Sequence, residues 1–245
     1  MMRELNANLA LRFREMDKRH RQETAYHEAG HAVAALAVDG DAPIRISIVP
    51  ELEFLGRVSS RKRRMAPQSK VDACGGHPIR LRALRAHVEA EAMVYLAGYA
   101  AQRRFKPRSG IMRGIWTSDY ESVLESMVAL EPAKDARLRW LRRLERKTRL
   151  LVRFPEVWKA IELVSRRLLR TEVIEGDVLE QVLYGPRGVR RLIEPVRQRL
   201  WTTWFKERGI PVSAIDPKWL ATLAPGEPIP MDELMAHVHQ ATPKR

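Results

Sequence analysis

The feature that most constrains the fold is a group of ionisable residues inside an otherwise apolar helix. Hydrophobic spacing predicts a helix from about Glu23 to Val38. Three polar residues interrupt its buried side, namely His27, Glu28 and His31. Positions four residues apart share one helix face, so the two imidazoles are expected about 5–6 Å apart at Cβ. Because burying two histidines without a partner would cost several kcal/mol, this helix must pack where the histidines share a partner.

The same spacing predicts a metal site. Two neutral imidazoles on one helix face can occupy two corners of a zinc tetrahedron, and a catalytic zinc takes a third protein ligand. Glu28 lies between the histidines, where its carboxylate can accept a proton from a water molecule that the metal activates. The residues alone leave the third ligand open among five acids, which are Glu51, Glu53, Glu89, Glu91 and Asp119.

Outside this helix the hydrophobic pattern predicts a mainly helical α+β fold with a small β-sheet. Ile44, Ile46 and Ile48 alternate with other residues in the way that is typical of a half-buried strand, and residues 55–59 are its candidate partner. Further helices are predicted over residues 3–20, 79–105, from 117 onward, and over 137–153, 155–170, 176–183, 188–208 and 231–239.

Composition limits the class of protein. The 245 residues include 44 Lys+Arg and 30 Asp+Glu, giving a net charge of +14 that favours nucleic acid or an anionic surface as a partner. A single cysteine, Cys74, excludes an intramolecular disulfide and a multi-cysteine zinc site. No stretch approaches the roughly 18 apolar residues of a membrane span, and residues 1–24 lack a signal-peptide core. These features predict a cytoplasmic protein without a membrane span.

The metal-site helix resembles that of the FtsH-type ATP-dependent membrane proteases. Residues 24–33, with the sequence TAYHEAGHAV, carry the most specific part of this resemblance. Weaker similarities follow in the family's order, namely its strand pair (44–50 and 55–58), its small-residue helix (96–102), the helix that begins with its third ligand (117–119) and its closing helical hairpin (158–179). The resemblance therefore extends over about residues 20–184.

The resemblance implies a zinc-dependent endopeptidase of the HExxH type that cleaves flexible or unfolded polypeptides. It assigns a metallopeptidase domain with an N-terminal helix to residues 1–184 and a helical C-terminal extension to residues 185–245. Its implied Zn²⁺ ligands are His27, His31 and Asp119, with Glu28 as the general base. Its implied substrate-binding edge strand consists of Leu55, Gly56, Arg57, Val58 and Ser59.

The sequence also departs from that family. It contains no GxxxxGK[ST] phosphate-binding loop and no membrane anchor, so we expect hydrolysis without a motor in this chain, or with a separate ATPase partner. Because the chain lacks the ATPase domain that forms the family's hexameric ring, the resemblance does not predict a hexamer, and a homo-oligomer stays an open expectation.

Two other functions stay open on sequence alone. One is a zinc-binding pseudoprotease or interaction protein, although a purely structural zinc site would have no need of Glu28. The other is a basic nucleic-acid-binding protein. For this second function, residues 137–153 are rich in arginine and hold a single acid, Glu145, which favours contact with phosphates.

Overall fold

A computed structural model of the chain describes residues 20–39, 42–50, 56–60, 71–72, 75, 78–107 and 117–207. Several predictions lie outside these residues: most of the helix at 3–20, the helix at 231–239, and Leu55 of the candidate edge strand.

The described part of the chain is mainly helical, which confirms the predicted fold class. Helix α1 covers residues 20–34 and continues as a π-helical segment, Ala35–Asp39. The later helices are α2 (Pro78–Phe105), α3 (Thr117–Val128), α4 (Lys134–Arg153), α5 (Pro155–Thr171), α6 (Gly176–Tyr184) and α7 (Val189–Glu207). None of the described helices combines the length and the apolar composition that a membrane span requires.

Three short strands form an antiparallel sheet in the order β2–β1–β3. Their bounds are Pro43–Ser47 for β1, Arg57–Ser60 for β2 and Val173–Glu175 for β3. Ile46 lies at the centre of the sheet, opposite Val58 on β2 and Ile174 on β3. Among the described strands β2 pairs with β1 alone, so its other side is an edge of this sheet.

Two details of the sheet differ from the sequence prediction. The pairing of β1 with β2 shifts between Pro43 and Arg45, and Ile44 is 40% exposed while Ile46 and Ile48 are buried. An irregularity of this kind breaks the strict alternation of inward and outward side chains. Strand β3 was not predicted, because its three residues are too few to display a period of two.

Small side chains allow α1 to approach α2 closely. A Cβ atom added to Gly30 would lie 2.6 Å from the carbonyl oxygen of Ala97 and 2.8 Å from Ala101 Cβ. The surrounding core also includes apolar residues from the sheet and from α5, α6 and α7, among them Ile46, Ile161, Val164, Leu168, Leu183, Val189, Ile193 and Val196. The described part of the predicted C-terminal extension therefore contributes to the same core as α1. The domain boundary near Tyr184 stays a prediction.

A second apolar cluster positions the N-terminus of α3 in the fold. It consists of Val88, Ala92 and Leu96 on α2, Val123 and Met127 on α3, and Trp140, Leu141 and Leu144 on α4. Because α2 takes part in both clusters, it brings the first turn of α3 towards the polar residues of α1. This packing brings together residues that are about ninety positions apart in the sequence.

Candidate metal centre

The two histidines of α1 point their Nε2 atoms at each other. These atoms are 2.8 Å apart, and the rings meet edge to face at an interplanar angle of 85°. Both residues are buried, with 1% of His27 and 9% of His31 exposed. Two imidazole lone pairs at this distance repel each other unless a proton or another cation lies between them. The pair therefore forms a buried position that favours positive charge.

Asp119 in the first turn of α3 completes the group. Its Oδ2 atom lies 3.3 Å from Nε2 of His27 and 3.4 Å from Nε2 of His31. Within the described residues, these three side chains form a group that could hold a metal ion. Two imidazole nitrogens and a carboxylate oxygen are also a donor set that zinc accepts, with a fourth position for water.

The other candidate acids lie elsewhere or make other contacts. Glu89 accepts a hydrogen bond from Trp140 Nε1 at 2.8 Å and lies 3.4 Å from a guanidinium nitrogen of Arg143. Glu51 and Glu53 lie outside the described residues, and Glu91 is absent from the group that could hold a metal. Among the described acids, Asp119 is thus the one that the fold places beside both histidines.

A hydrogen bond at the far side of its ring orients His31. The carbonyl oxygen of Val94 lies 2.8 Å from Nδ1 of His31, which can donate to it and leave Nε2 with a free lone pair. The Gln102 side chain lies close to His27 and favours the protonated form of that ring. Gln102 in turn donates through Nε2 to Oε2 of Glu23 at 3.3 Å. The hydrogen bond to Val94 therefore supports the His31 ring in the way that metal-binding histidines require.

Glu23 is itself buried and ion-paired. Lys106 Nζ lies 2.6 Å from its Oε1 atom, and His20 Nδ1 lies 3.5 Å from the same oxygen. A buried carboxylate with these partners can hold the amide of Gln102 in one orientation. The sequence pattern did not identify Glu23 or Gln102 as part of the site. The sequence around Gln102 gives no indication of a role in the site, because the partners of this side chain belong to another helix.

Gly98 on α2 leaves the space beside the two ligand nitrogens open. A Cβ atom at this position would lie 2.4 Å from Nε2 of His31 and 2.7 Å from Nε2 of His27. Glycine inside a helix costs roughly 0.5–1 kcal/mol relative to alanine. A glycine in the middle of a predicted helix therefore indicates close packing. The sequence does not indicate that the residues packed against it are the two histidines.

The charges of the group indicate where a cation is favoured. Burial, followed by the nearby His31, lowers the pKa of His27 to about 3. Burial also opposes a charge on His31, but the charge and hydrogen bond of Asp119 outweigh it and raise the pKa of His31 to about 9. The pKa of Asp119 is well below its usual range, because His31 and the hydrogen bonds of both rings outweigh burial. A metal ion could supply the positive charge that this carboxylate stabilises.

Glu28 lies next to the group but outside the ligand set. It is buried, and a Cβ atom on Gly56 would lie 2.6 Å from its Oε1 atom. Burial, with a contribution from Asp119, raises the pKa of Glu28 to about 8 even though His31 acts in the opposite direction. A nearby divalent cation would lower this pKa again by favouring the ionised form. The ionisation of Glu28 therefore depends on the charges that lie beside it.

The predicted edge strand begins beside this carboxyl group. Gly56 contacts Glu28, and Arg57, Val58 and Ser59 follow on β2 at the edge of the described sheet. Leu55 lies outside the described residues. The role of this strand in binding a substrate stays a prediction.

Comparison with known proteins links part of the chain to one class of enzyme. No family model matches the chain. The chain is 48% identical over 42 residues to the ATP-dependent zinc metalloprotease FtsH of Magnetococcus marinus. This stretch is 17% of the chain and 6% of that relative, so the chain spans only a small part of the relative's length. The similarity suggests a link to the zinc metalloproteases.

Proposed function

We propose that this chain is a zinc-dependent endopeptidase that hydrolyses peptide bonds in flexible or unfolded polypeptides without an ATPase motor of its own. The observation that carries this proposal is the convergence of His27, His31 and Asp119, with a buried Glu28 beside them. The partial similarity to a zinc metalloprotease supports the same reading. A site that only stabilised the fold would have no need of an acid–base group next to its ligands.

His27, His31 and Asp119 would hold the ion. A zinc ion bound there would polarise the carbonyl group of a peptide and lower the pKa of a water molecule. Glu28 would accept the proton of the attacking water and then deliver it to the nitrogen of the departing amine. Val94 would keep the imidazole of His31 in the tautomer that presents Nε2.

Strand β2 would hold the substrate in an extended conformation. A peptide that adds to an open sheet edge gains main-chain hydrogen bonds along its length. Because Gly56 contacts Glu28, a peptide lying along Arg57–Ser60 would pass close to the general base. This mode of binding requires several consecutive unfolded residues, which is why we propose flexible polypeptides as the substrate class.

Removal of the metal tests the proposed function directly. The protein treated with 1,10-phenanthroline and dialysed should lose its hydrolysis of casein in the absence of ATP. Addition of one equivalent of zinc should restore the rate, because the donor set and Glu28 remain in place. Hydrolysis that is equally fast in the zinc-free protein, or absent from the zinc-loaded protein, would overturn the proposal.

Proline substitutions on β2 test the substrate-binding edge. Successive residues of a strand direct their N–H groups to opposite sides, so only one of Val58→Pro and Ser59→Pro removes a donor from the open edge. We expect that variant to cleave casein at least tenfold more slowly while it keeps its zinc stoichiometry. The other variant removes a donor from the side that pairs with β1, so its cleavage rate shows the effect of disturbing that pairing alone. Wild-type cleavage rates in both variants would rule out β2 as the binding edge.

A further inference from the structure

A second candidate site lies on the part of the molecule formed by α5 and α6. An open cavity of about 550 Å³ lies between the outer face of α5, the end of α6 and the turn that precedes α7. Its volume is in the range of sites that bind small molecules. Neither α1 nor α3, which carry the candidate metal ligands, contributes a residue to its lining.

The lining of this cavity is strongly basic. Four cations come from a single face of α5, because positions separated by seven, eight and eleven residues from Lys159 return to the same side of a helix. A fifth cation comes from the turn after α6. The basic residues that line the cavity are Lys159, Arg166, Arg167, Arg170 and Arg187.

Most of these cations have no acidic partner among the described residues. Arg166 lies 3.7 Å from a carboxylate oxygen of Glu162. Lys159, Arg170 and Arg187 make no ion pair within the described ranges, and the buried Nε of Arg167 has no hydrogen-bond partner there. Cations that line a concave surface concentrate a positive potential in it. An anion in this cavity would be attracted by that potential.

Part of the cavity lining is apolar. Leu163 of α5 and Val182 of α6 line it, together with Pro186 from the turn. An inorganic anion would leave this apolar surface exposed to water, whereas a ligand with an apolar body would cover it. The lining therefore favours a molecule that joins an anionic group to an apolar or aromatic part.

We infer that this cavity binds a phosphate ester with an apolar body. A guanidinium group presents parallel N–H donors that match two phosphate oxygens, and four of the five cations in the lining are arginines. The phosphate group would contact the arginines, and the body of the ligand would pack on Leu163, Val182 and Pro186. A soluble nucleotide and a phospholipid headgroup with its first acyl carbons both have this chemistry.

Calorimetric titration of the zinc-free protein tests this inference separately from the proposed protease activity. The probes are ADP, monomeric dihexanoyl phosphatidic acid and inorganic phosphate. We expect at least one of the two esters to bind at least tenfold more tightly than inorganic phosphate, because only the esters cover the apolar part of the lining. Tighter binding of ADP indicates a nucleotide, and tighter binding of the short-chain lipid indicates a headgroup.

A pair of charge-matched variants makes the test specific. Arg170→Ser with Arg187→Ser removes two cations from the lining, and Arg142→Ser with Arg146→Ser removes two exposed cations from α4. The first pair should weaken binding at least tenfold, and the second should change it less than threefold, with both variants showing the wild-type circular dichroism spectrum. Equal losses in the two pairs, or no binding of either ester at millimolar concentration, would overturn the inference.

Discussion

Replacement of Glu28 by glutamine is expected to slow the hydrolysis of casein by about 10²–10⁴-fold, which is the usual contribution of a general acid–base group. Glutamine keeps the size of the side chain and its contact with Gly56, but it cannot accept the proton of the attacking water. The three proposed ligands are unchanged, so the variant should still bind one zinc ion. Initial rates measured on zinc-loaded proteins, with metal content determined on the same samples, test this expectation.

The control for this substitution is Glu125→Gln on the exposed side of α3. It makes the same chemical change away from the metal centre and should leave the rate unchanged. If Glu28→Gln and the wild type hydrolyse casein at the same rate above background, Glu28 is not the general base. If both show only background rates while zinc is bound, the protein is better described as a zinc-binding pseudoprotease.

Replacement of Gly98 by alanine is expected to weaken zinc binding by about 100-fold, the upper end of the loss seen when the support of metal ligands is removed. The added methyl group would lie 2.4 Å from Nε2 of His31 and 2.7 Å from Nε2 of His27, where the ion must approach. The helix itself should not suffer, because alanine favours helix formation more than glycine does. Competition titrations with a chromophoric chelator measure the affinity.

Arg103→Ala is the matched control for Gly98→Ala, because it also introduces alanine into α2 but at an exposed position. Its zinc affinity should equal that of the wild type. The circular dichroism spectra of both variants should retain their helical signal, which separates a blocked metal site from a lost fold. Wild-type zinc affinity in Gly98→Ala would mean that the ion does not sit beside the two Nε2 atoms.

Much of the fold could be predicted from the periodicity of the sequence. The helices predicted over 79–105, 155–170 and 176–183 agree with α2, α5 and α6 to within one residue at each end. Proline at the first positions of α2 and α5 marks their starts, since its fixed φ angle suits the first turn of a helix. Long elements with apolar stripes are the ones that a periodic pattern identifies best.

The candidate site was predictable only where its residues lie close together in the sequence. His27, Glu28 and His31 share one helix, and their spacing alone indicates a metal site. Asp119 came from a resemblance, because its approach to the histidines depends on how α3 packs against α2. Gly98 and Gln102 were not identified as part of the site, since their roles depend on the side chains of α1 that lie beside them. Strand β3 escaped prediction for a related reason, because pairing with β1 rather than its own pattern defines it.

The most direct test of the account is zinc K-edge X-ray absorption on the wild-type protein loaded with zinc and freed of excess metal. If His27, His31 and Asp119 hold the ion, the sample will contain one zinc per chain. Its spectrum will show nitrogen and oxygen ligands at about 2.0–2.2 Å, with the outer-shell scattering of two imidazoles. A protein that retains no zinc, or a spectrum with a sulfur ligand at about 2.3 Å or without imidazole scattering, would contradict the account.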